Sequence, residues 1–268
     1  MTSFRQSNDA KRGRRRPPPH ARGAASRKGL EDGAEWLWGW HAVVAALENP
    51  AREQPKLILA TPDRARQLTA RFGKLAALEI SDNASIAQRA PQGAVHQGVL
   101  LKTAALESLS IEELAHPASG LIVMLDQVTD PQNVGAIFRS AAAFGAKGIV
   151  VQDRHAPLMT GALAKAAAGA VDKLPHCRVT NLSRALEALS DAGWRTVGLA
   201  GGATAPLGDA FEGGPTVLVL GSEGEGLRRL VAEHCDVLAS IPMPGGFESL
   251  NVSAAAAVAL YEASRKLR

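Results

Sequence analysis

From Leu121 onward, short apolar runs alternate with helical stretches, and this alternation limits the fold more than any other feature. The runs "LIVMLD" (121–126), "GIVVQ" (148–152), "TVGLAG" (196–201), "TVLVLG" (216–221) and "VLASIPM" (237–243) read as strands, with a shorter one near "KLPHCRV" (173–179). Helical periodicity fills the gaps at residues 133–144, 160–170, 181–192, 227–234 and 250–266. Continuous apolar strands separated by helices imply a mainly parallel sheet covered on both faces. Asp126, Gly201, Gly202, Gly221 and residues 242–246 each follow the carboxyl end of such a strand. Open α/β sheets bind ligands at that edge, and glycine lets a ligand approach the backbone.

A smaller α/β unit precedes this region. "WLWGWHAVVAALENP" reads as an apolar segment and a helix stopped by Asn49-Pro50. "KLILAT" reads as a strand, "PDRARQLTARFG" as a helix and "VLLKTA" as another strand, so residues 35–104 form a candidate domain. Residues 105–119 read as a linker with one short helix, and residues 120–268 as the main domain.

The net charge of +4 hides an asymmetry. Residues 1–30 carry nine Lys or Arg against one acid, Asp9, a net +8 that leaves the remaining chain at −4. Residues 1–34, with three consecutive prolines and few apolar residues, are expected to be a disordered basic tail. Attraction to phosphate backbones, a solubilising extension and a targeting segment all remain open for it. Other basic candidates for RNA contact are Arg64–Arg71 and Arg228-Arg229. No apolar run is long enough to span a membrane. Cys177 and Cys235 are far apart and lack zinc-ligand spacing, so no metal is expected and both thiols are read as reduced.

Three loops hold the chemistry. "GSEGEGL" (221–227) is neither a dinucleotide fingerprint nor a P-loop, and Glu223 and Glu225 would repel phosphates. It suits either a ligand with cationic or hydroxyl donors, or a tight strand-to-helix turn. In "LDQVTDPQNVGAIFRSAAAFGA", Asp130-Pro131 marks a turn, and Asn133 or Gln132 lies near a helix start. Arg139 follows six positions after Asn133, about 600° further round the helix. In "SIPMPGGFESLNVSAAAAVAL", a Pro/Gly loop leads to Ser249, Asn251 and Ser253 at a helix mouth. Either Ser249 or Asn251 could simply cap that helix.

Taken together and in order, "LDQVTDPQNVGAIFRSAAAFGAKGIVV", "LVLGSEGEGLRRL" and "IPMPGGFESLNVSAAAAVALYEA" resemble the three motifs of the SpoU, or TrmH, family of RNA ribose 2′-O-methyltransferases. The segment from "WGWHAVVAAL" to "HQGVLLK" resembles the substrate-binding domain of the branch that methylates a guanosine ribose in 23S ribosomal RNA. The resemblance implies S-adenosylmethionine as methyl donor, a carboxy-terminal trefoil knot of the SPOUT type and a homodimer through the knotted domain; the two reduced thiols point to an intracellular protein, and a cytoplasmic location is expected. It assigns cofactor binding to Leu199, Ala200, Gly201, Leu220, Gly221, Gly224, Ile241, Pro242, Met243, Leu250 and Asn251. It assigns catalysis to Arg139, with Asn133, Glu223, Asn251 and Ser253 in support.

The donor methyl is already activated on a sulfonium, whereas a neutral 2′-hydroxyl is a poor nucleophile. Arginine in water keeps its proton to a pKa above about 12, which makes it an unusual base. Two roles stay open: Arg139 loses a proton in a dry site, or it anchors the substrate phosphate while another group accepts the proton. The alternatives to a ribosomal substrate are a transfer RNA substrate and a catalytically silent RNA-binding or ribosome-assembly protein.

Overall fold

The computed structural model describes residues 34–267 except 155, 160 and 248. The expected basic tail, apart from Ala34, lies outside the described residues. The first unit runs β1 (Ala34–Trp38), α1 (Trp40–Glu48), β2 (Leu57–Ala60), α2 (Pro62–Phe72), β3 (Leu78–Ile80), α3 (Asn83–Arg89) and β4 (Val99–Ala104). Its sheet has the order β1-β4-β2-β3, with β4 antiparallel to both neighbours. Two of these elements are additional to those read from periodicity. β3 has only three residues, with Glu79 and Ile80 exposed, so no alternation marks it. α3 buries only Ile86, and its one local signal is Asp82, whose side chain accepts from the Ser85 amide at 2.8 Å.

The chain continues through α4 (Ile111–Ala115), β5 (Leu121–Leu125), α5 (Pro131–Ala143), β6 (Gly148–Gln152), α6 (Gly161–Ala166), a 3-10 turn (Ala170–Asp172), β7 (His176–Val179), α7 (Leu182–Asp191) and β8 (Arg195–Leu199). It ends with β9 (Ala205–Pro206), α8 (Leu207–Ala210), β10 (Thr216–Leu220), α9 (Arg229–Glu233), β11 (Val237–Ser240) and α10 (Val252–Lys266). The seven strands of this part form one parallel sheet in the order β7-β6-β5-β10-β8-β11-β9. All five residues of β5, β6 and β10 are buried, because helices cover both faces. Side chains alternate between the faces. Val123, Leu125 and Leu218 join Phe138, Leu163 and Leu260 on one side. Ile122, Met124 and Val219 join Leu186, Trp194 and Val231 on the other.

Residues 105–119 lie against the main sheet. The Leu109 amide donates to the His176 carbonyl at 2.9 Å, and Trp194 Nε1 donates to the Ala115 carbonyl at 2.9 Å. The two sheets are also joined directly. Arg52, from the loop after α1, pairs with Asp172 in the 3-10 turn, and the two side chains are only 3% and 1% exposed. Arg52 Nη1 also donates to the Ala104 carbonyl at 2.9 Å, and Asn49 Nδ2 donates to Asp172 at 3.2 Å.

His176, nearby on β7, is buried, and burial lowers its pKa from 6.5 to about 4, with Arg178 and Arg52 adding to the effect. A depressed histidine pKa means that the unfolded chain binds the proton first. Stability supplied by the neutral ring is therefore complete above pH 6.5 and lost as pH falls toward 4. The expected loss is on the order of 3 kcal/mol over that window. Glu35, raised by burial, acts in the opposite direction. Urea denaturation at pH 7.5 and pH 4.5 checks this: His176→Gln should flatten the pH dependence, and an unchanged profile would assign it elsewhere.

Candidate functional site

The parallel register brings the strand tips level. Leu125 pairs with Leu220, Leu220 with Leu199, and Leu199 with Ala239, so the segments after β5, β10, β8 and β11 leave from one edge. The loop after β10 is a small hairpin in which Ser222 and Gly226 exchange both backbone hydrogen bonds at 3.1 Å. Gly221 has no room for a side chain: a Cβ there would stand 2.1 Å from the Gly226 carbonyl carbon and 2.4 Å from the Leu227 nitrogen. The tight-turn reading of "GSEGEGL" therefore holds, and the turn also directs Glu223 toward the start of α10.

Glu223 Oε1 accepts from Asn133 Nδ2 at 3.0 Å, from Asn251 Nδ2, and from the Val252 amide at 3.4 Å. Asn251 Nδ2 also donates to Asn133 Oδ1 at 3.1 Å. Asn251 Oδ1 accepts from the Ser253 amide at 3.0 Å, the Ser253 hydroxyl at 2.6 Å and the Ala254 amide at 3.3 Å. Asn251 is thus the N-cap of α10 and a member of the network at once, since its oxygen caps while its nitrogen reaches outward. One polar cluster joins Asn133 of α5, Glu223 of the hairpin and Asn251 and Ser253 of the last helix, residues up to 120 positions apart in the chain. Glu223 Oε2 has no partner among the described residues. Asn133 is the third residue of α5, whose cap is Asp130, accepting from the Gln132 amide at 3.1 Å.

Arg139 stands apart from this cluster. It lies on the exposed face of α5 and makes no hydrogen bond or ion pair with any described residue. Six residues of helix separate it from Asn133 by about 9 Å along the axis and two-thirds of a turn around it.

The cofactor candidates divide among the same tips. Leu199, Ala200 and Gly201 end β8, Leu220, Gly221 and Gly224 surround the end of β10, Ile241, Pro242 and Met243 follow β11, and Leu250 and Asn251 precede α10. Leu220 offers little: its side chain is in the core and its carbonyl accepts from the Asp126 amide at 2.8 Å. Ala200 donates to the Ala239 carbonyl at 2.9 Å, fixing the β8 turn to β11. Gly202 and Gly224 face open space, since a Cβ on either would meet nothing within 4 Å.

The basic candidates are largely occupied. Arg228 braces the hairpin: its amide donates to Asp126 Oδ2 at 2.9 Å and its Nε to Oδ1 at 2.7 Å, with Asp126 fully buried. No spacing signal links residues 102 positions apart, so this brace was not legible in the sequence. Arg229 pairs with Glu233, Arg66 with Asp63 and Arg71 with Glu48, while Arg64 lies over the Trp40 ring. Burial pushes the Cys177 thiol up to about 11 and the Cys235 thiol up to about 12, which keeps both protonated and unreactive.

Fold and site together define an α/β protein with its polar cluster at the carboxyl edge of a parallel sheet. The SpoU rRNA Methylase family profile matches residues 120–261, more than half of the chain. The "23S rRNA (guanosine-2′-O-)-methyltransferase RlmB" of Xanthomonas campestris is 39% identical over 241 residues, covering 87% of this chain and 96% of that relative. An uncharacterized tRNA/rRNA methyltransferase of Mycolicibacterium smegmatis is 45% identical over 179 residues, and there the match spans 65% of this chain but only 57% of the relative. Among solved structures, the SpoU methyltransferase AviRb of Streptomyces viridochromogenes, in complex with AdoMet, has a TM-score of 0.73 at 25% identity, covering 87% of this chain and 90% of its own. The chain belongs to the SpoU rRNA methylase family.

Proposed function

We propose that this protein transfers a methyl group from S-adenosylmethionine to a ribose 2′-hydroxyl of RNA, with a guanosine of 23S ribosomal RNA as the target. The observation that carries the reading is the single network in which Glu223 joins Asn133 to Asn251 and Ser253. It unites all three motifs beside level strand tips. The RlmB relative supplies the target, because the match to it runs nearly end to end and includes the small domain.

The residues fit the cofactor. Gly202 and Gly224 leave open space over the tips of β8 and β10, and the exposed Pro/Gly loop after β11 faces the same edge. Leu199, Gly201, Gly221, Ile241 and Leu250 would hold the donor, which when bound supplies an activated methyl. The chain's own residues do the rest. Glu223, with one oxygen saturated by three donors, keeps the other for a ligand hydroxyl or amino group. Asn133 and Asn251 fix its position, and such preorganised dipoles need no rearrangement during reaction. Arg139 holds the substrate phosphate and stabilises the charge developing on the 2′-oxygen.

The knot and the dimer belong to the same reading. β10 inserts between β5 and β8, and the segment after β11 returns across the β10 hairpin to place α10 on α5. This crossing is the arrangement expected of a trefoil. On α10, Ala254, Val258, Tyr261 and Arg265 form an exposed stripe at helical spacing, with Val258 44% and Tyr261 53% exposed. Tyr261 meets Phe144 at the end of α5 edge-on, ring centres 5.9 Å apart. An isologous contact over this face would bury the stripe and bring the partner subunit's Arg139 toward the network. Among the described residues no helix is long and apolar enough to cross a membrane.

Mapping 2′-O-methyl groups on ribosomal and transfer RNA from cells with and without the gene tests the reading. Loss of one 23S guanosine methyl is expected; a missing transfer RNA methyl would move the target, and no missing methyl would sink the activity. For the cofactor loop, Gly221→Ala must open the hairpin because the obstruction is backbone. A cost of about 1–3 kcal/mol in stability is expected, together with loss of S-adenosylmethionine binding by calorimetry. Binding at the wild-type affinity would remove this loop from the cofactor site.

A further inference from the structure

A cleft of about 420 Å³ opens at the carboxyl ends of β6 and β7, on the side of the sheet covered by α7 and α9. None of its lining residues belongs to the Asn133–Glu223–Asn251 network. Gln152, the last residue of β6, is its most buried polar group at 6% exposure. Its Oε1 and its amide nitrogen have no hydrogen-bond partner among the described residues. Buried amides are normally satisfied, so a bare one lining a cleft points to a partner supplied from outside.

The surroundings define that partner. Thr180 and Ser183 bring hydroxyls and Arg228 and Arg229 bring basic groups; His234 also lines the cleft, but its ring nitrogens are taken up by the Leu230 carbonyl at 2.6 Å and Glu187 at 2.9 Å, and no carboxylate lines the cleft among the described residues. Asp126 engages Arg228 through Nε, leaving both terminal nitrogens without a partner among the described residues. Among the described residues Arg229 is held by an exposed pair with Glu233, a weak competitor for an anion. A planar amide calls for a ligand with a hydrogen-bonding edge, and a cationic rim calls for an anion. A nucleotide carries both.

We propose that this cleft is a subsite for one nucleotide of the RNA flanking the target, with its base edge on the Gln152 amide and its phosphate against Arg228 and Arg229. The proposal rests on the reading that the chain acts on RNA. Only β5 separates β6 from β10, so the cleft is about 10 Å along the sheet edge from the Glu223 hairpin. The Asp126–Arg228 brace links the two sites physically.

The test measures filter binding of 23S ribosomal RNA, taken from cells lacking the gene, to the full chain and to Gln152→Ala and Arg229→Ala. Each variant is expected to raise the RNA Kd about tenfold while leaving S-adenosylmethionine binding unchanged. Arg229→Ala should also reduce the slope of log affinity against log salt by about one. Unchanged RNA affinity and slope in both variants would overturn the subsite. So would tight binding of free nucleoside monophosphates by wild type with RNA binding indifferent to the variants, since the cleft would then serve a free nucleotide. Should Gln152→Ala fail to fold, Ser183→Ala takes its place beside Arg229→Ala. These readouts need no methyl transfer, so an inactive wild type would count against the methyltransferase reading alone.

Discussion

Arg139→Ala is expected to fold like the wild-type chain, to keep the proposed dimer, and to transfer methyl groups about 10²–10³-fold more slowly. Folding should survive because Arg139 is exposed on α5 and bonds to no described residue, while the core side of that helix rests on Val134, Ile137, Phe138 and Ala141. The rate should fall because a guanidinium with no partner among the described residues can meet a phosphate and a developing alkoxide, whereas the network around Glu223 carries no cation among those residues. In the proposed homodimer, the same isolation from Glu223 predicts that Arg139 acts on the partner's site. Mixing Arg139→Ala chains with Glu223→Ala chains should therefore restore transfer: half of the dimers are mixed, each with one intact site, so about a quarter of wild-type activity returns. Failure of the mixture to recover would place Arg139 in the site of its own subunit. Near-normal turnover by Arg139→Ala alone would remove it from the mechanism.

Arg52→Ala is expected to destabilise the chain by about 3–5 kcal/mol, the cost of stranding a buried charge. Asp172 is 1% exposed and would keep only Asn49 as a side-chain partner. Domains of this size have about 5–15 kcal/mol in total, so the loss is large. Removing both charges should cost less, and Arg52→Met with Asp172→Leu should recover much of the stability. Urea denaturation of the two variants measures this. A loss below about 1 kcal/mol for Arg52→Ala would mean that the two sheets part in solution and let water reach the pair.

The small unit shows where the sequence becomes hard to read. α2 announces itself through Pro62 and an apolar face, whereas β3 and α3 bury almost nothing and leave no periodic trace. The stretch 105–119 has a linker's composition yet is tied to β7 and to Trp194 by hydrogen bonds whose donors and acceptors are backbone groups or a distant indole. Backbone partners carry no residue code, so composition could not reveal them. The polar residues of the three motifs were identifiable by type and position, but their bonding pattern was not.

Local patterning alone determined the parallel α/β sheet and the glycine-rich strand tips, because apolar runs and turn residues act over a few positions; the resemblance of the three motifs singled out Asn133, Glu223, Asn251 and Ser253. Only the tertiary structure decided that Glu223 binds both asparagines, that Arg228 is bound to Asp126, that Arg139 stands apart, and that Gln152 is buried without a partner among the described residues. Each of these depends on which strands become neighbours, and strand order places residues about a hundred positions apart within hydrogen-bond reach without leaving a mark in either local segment.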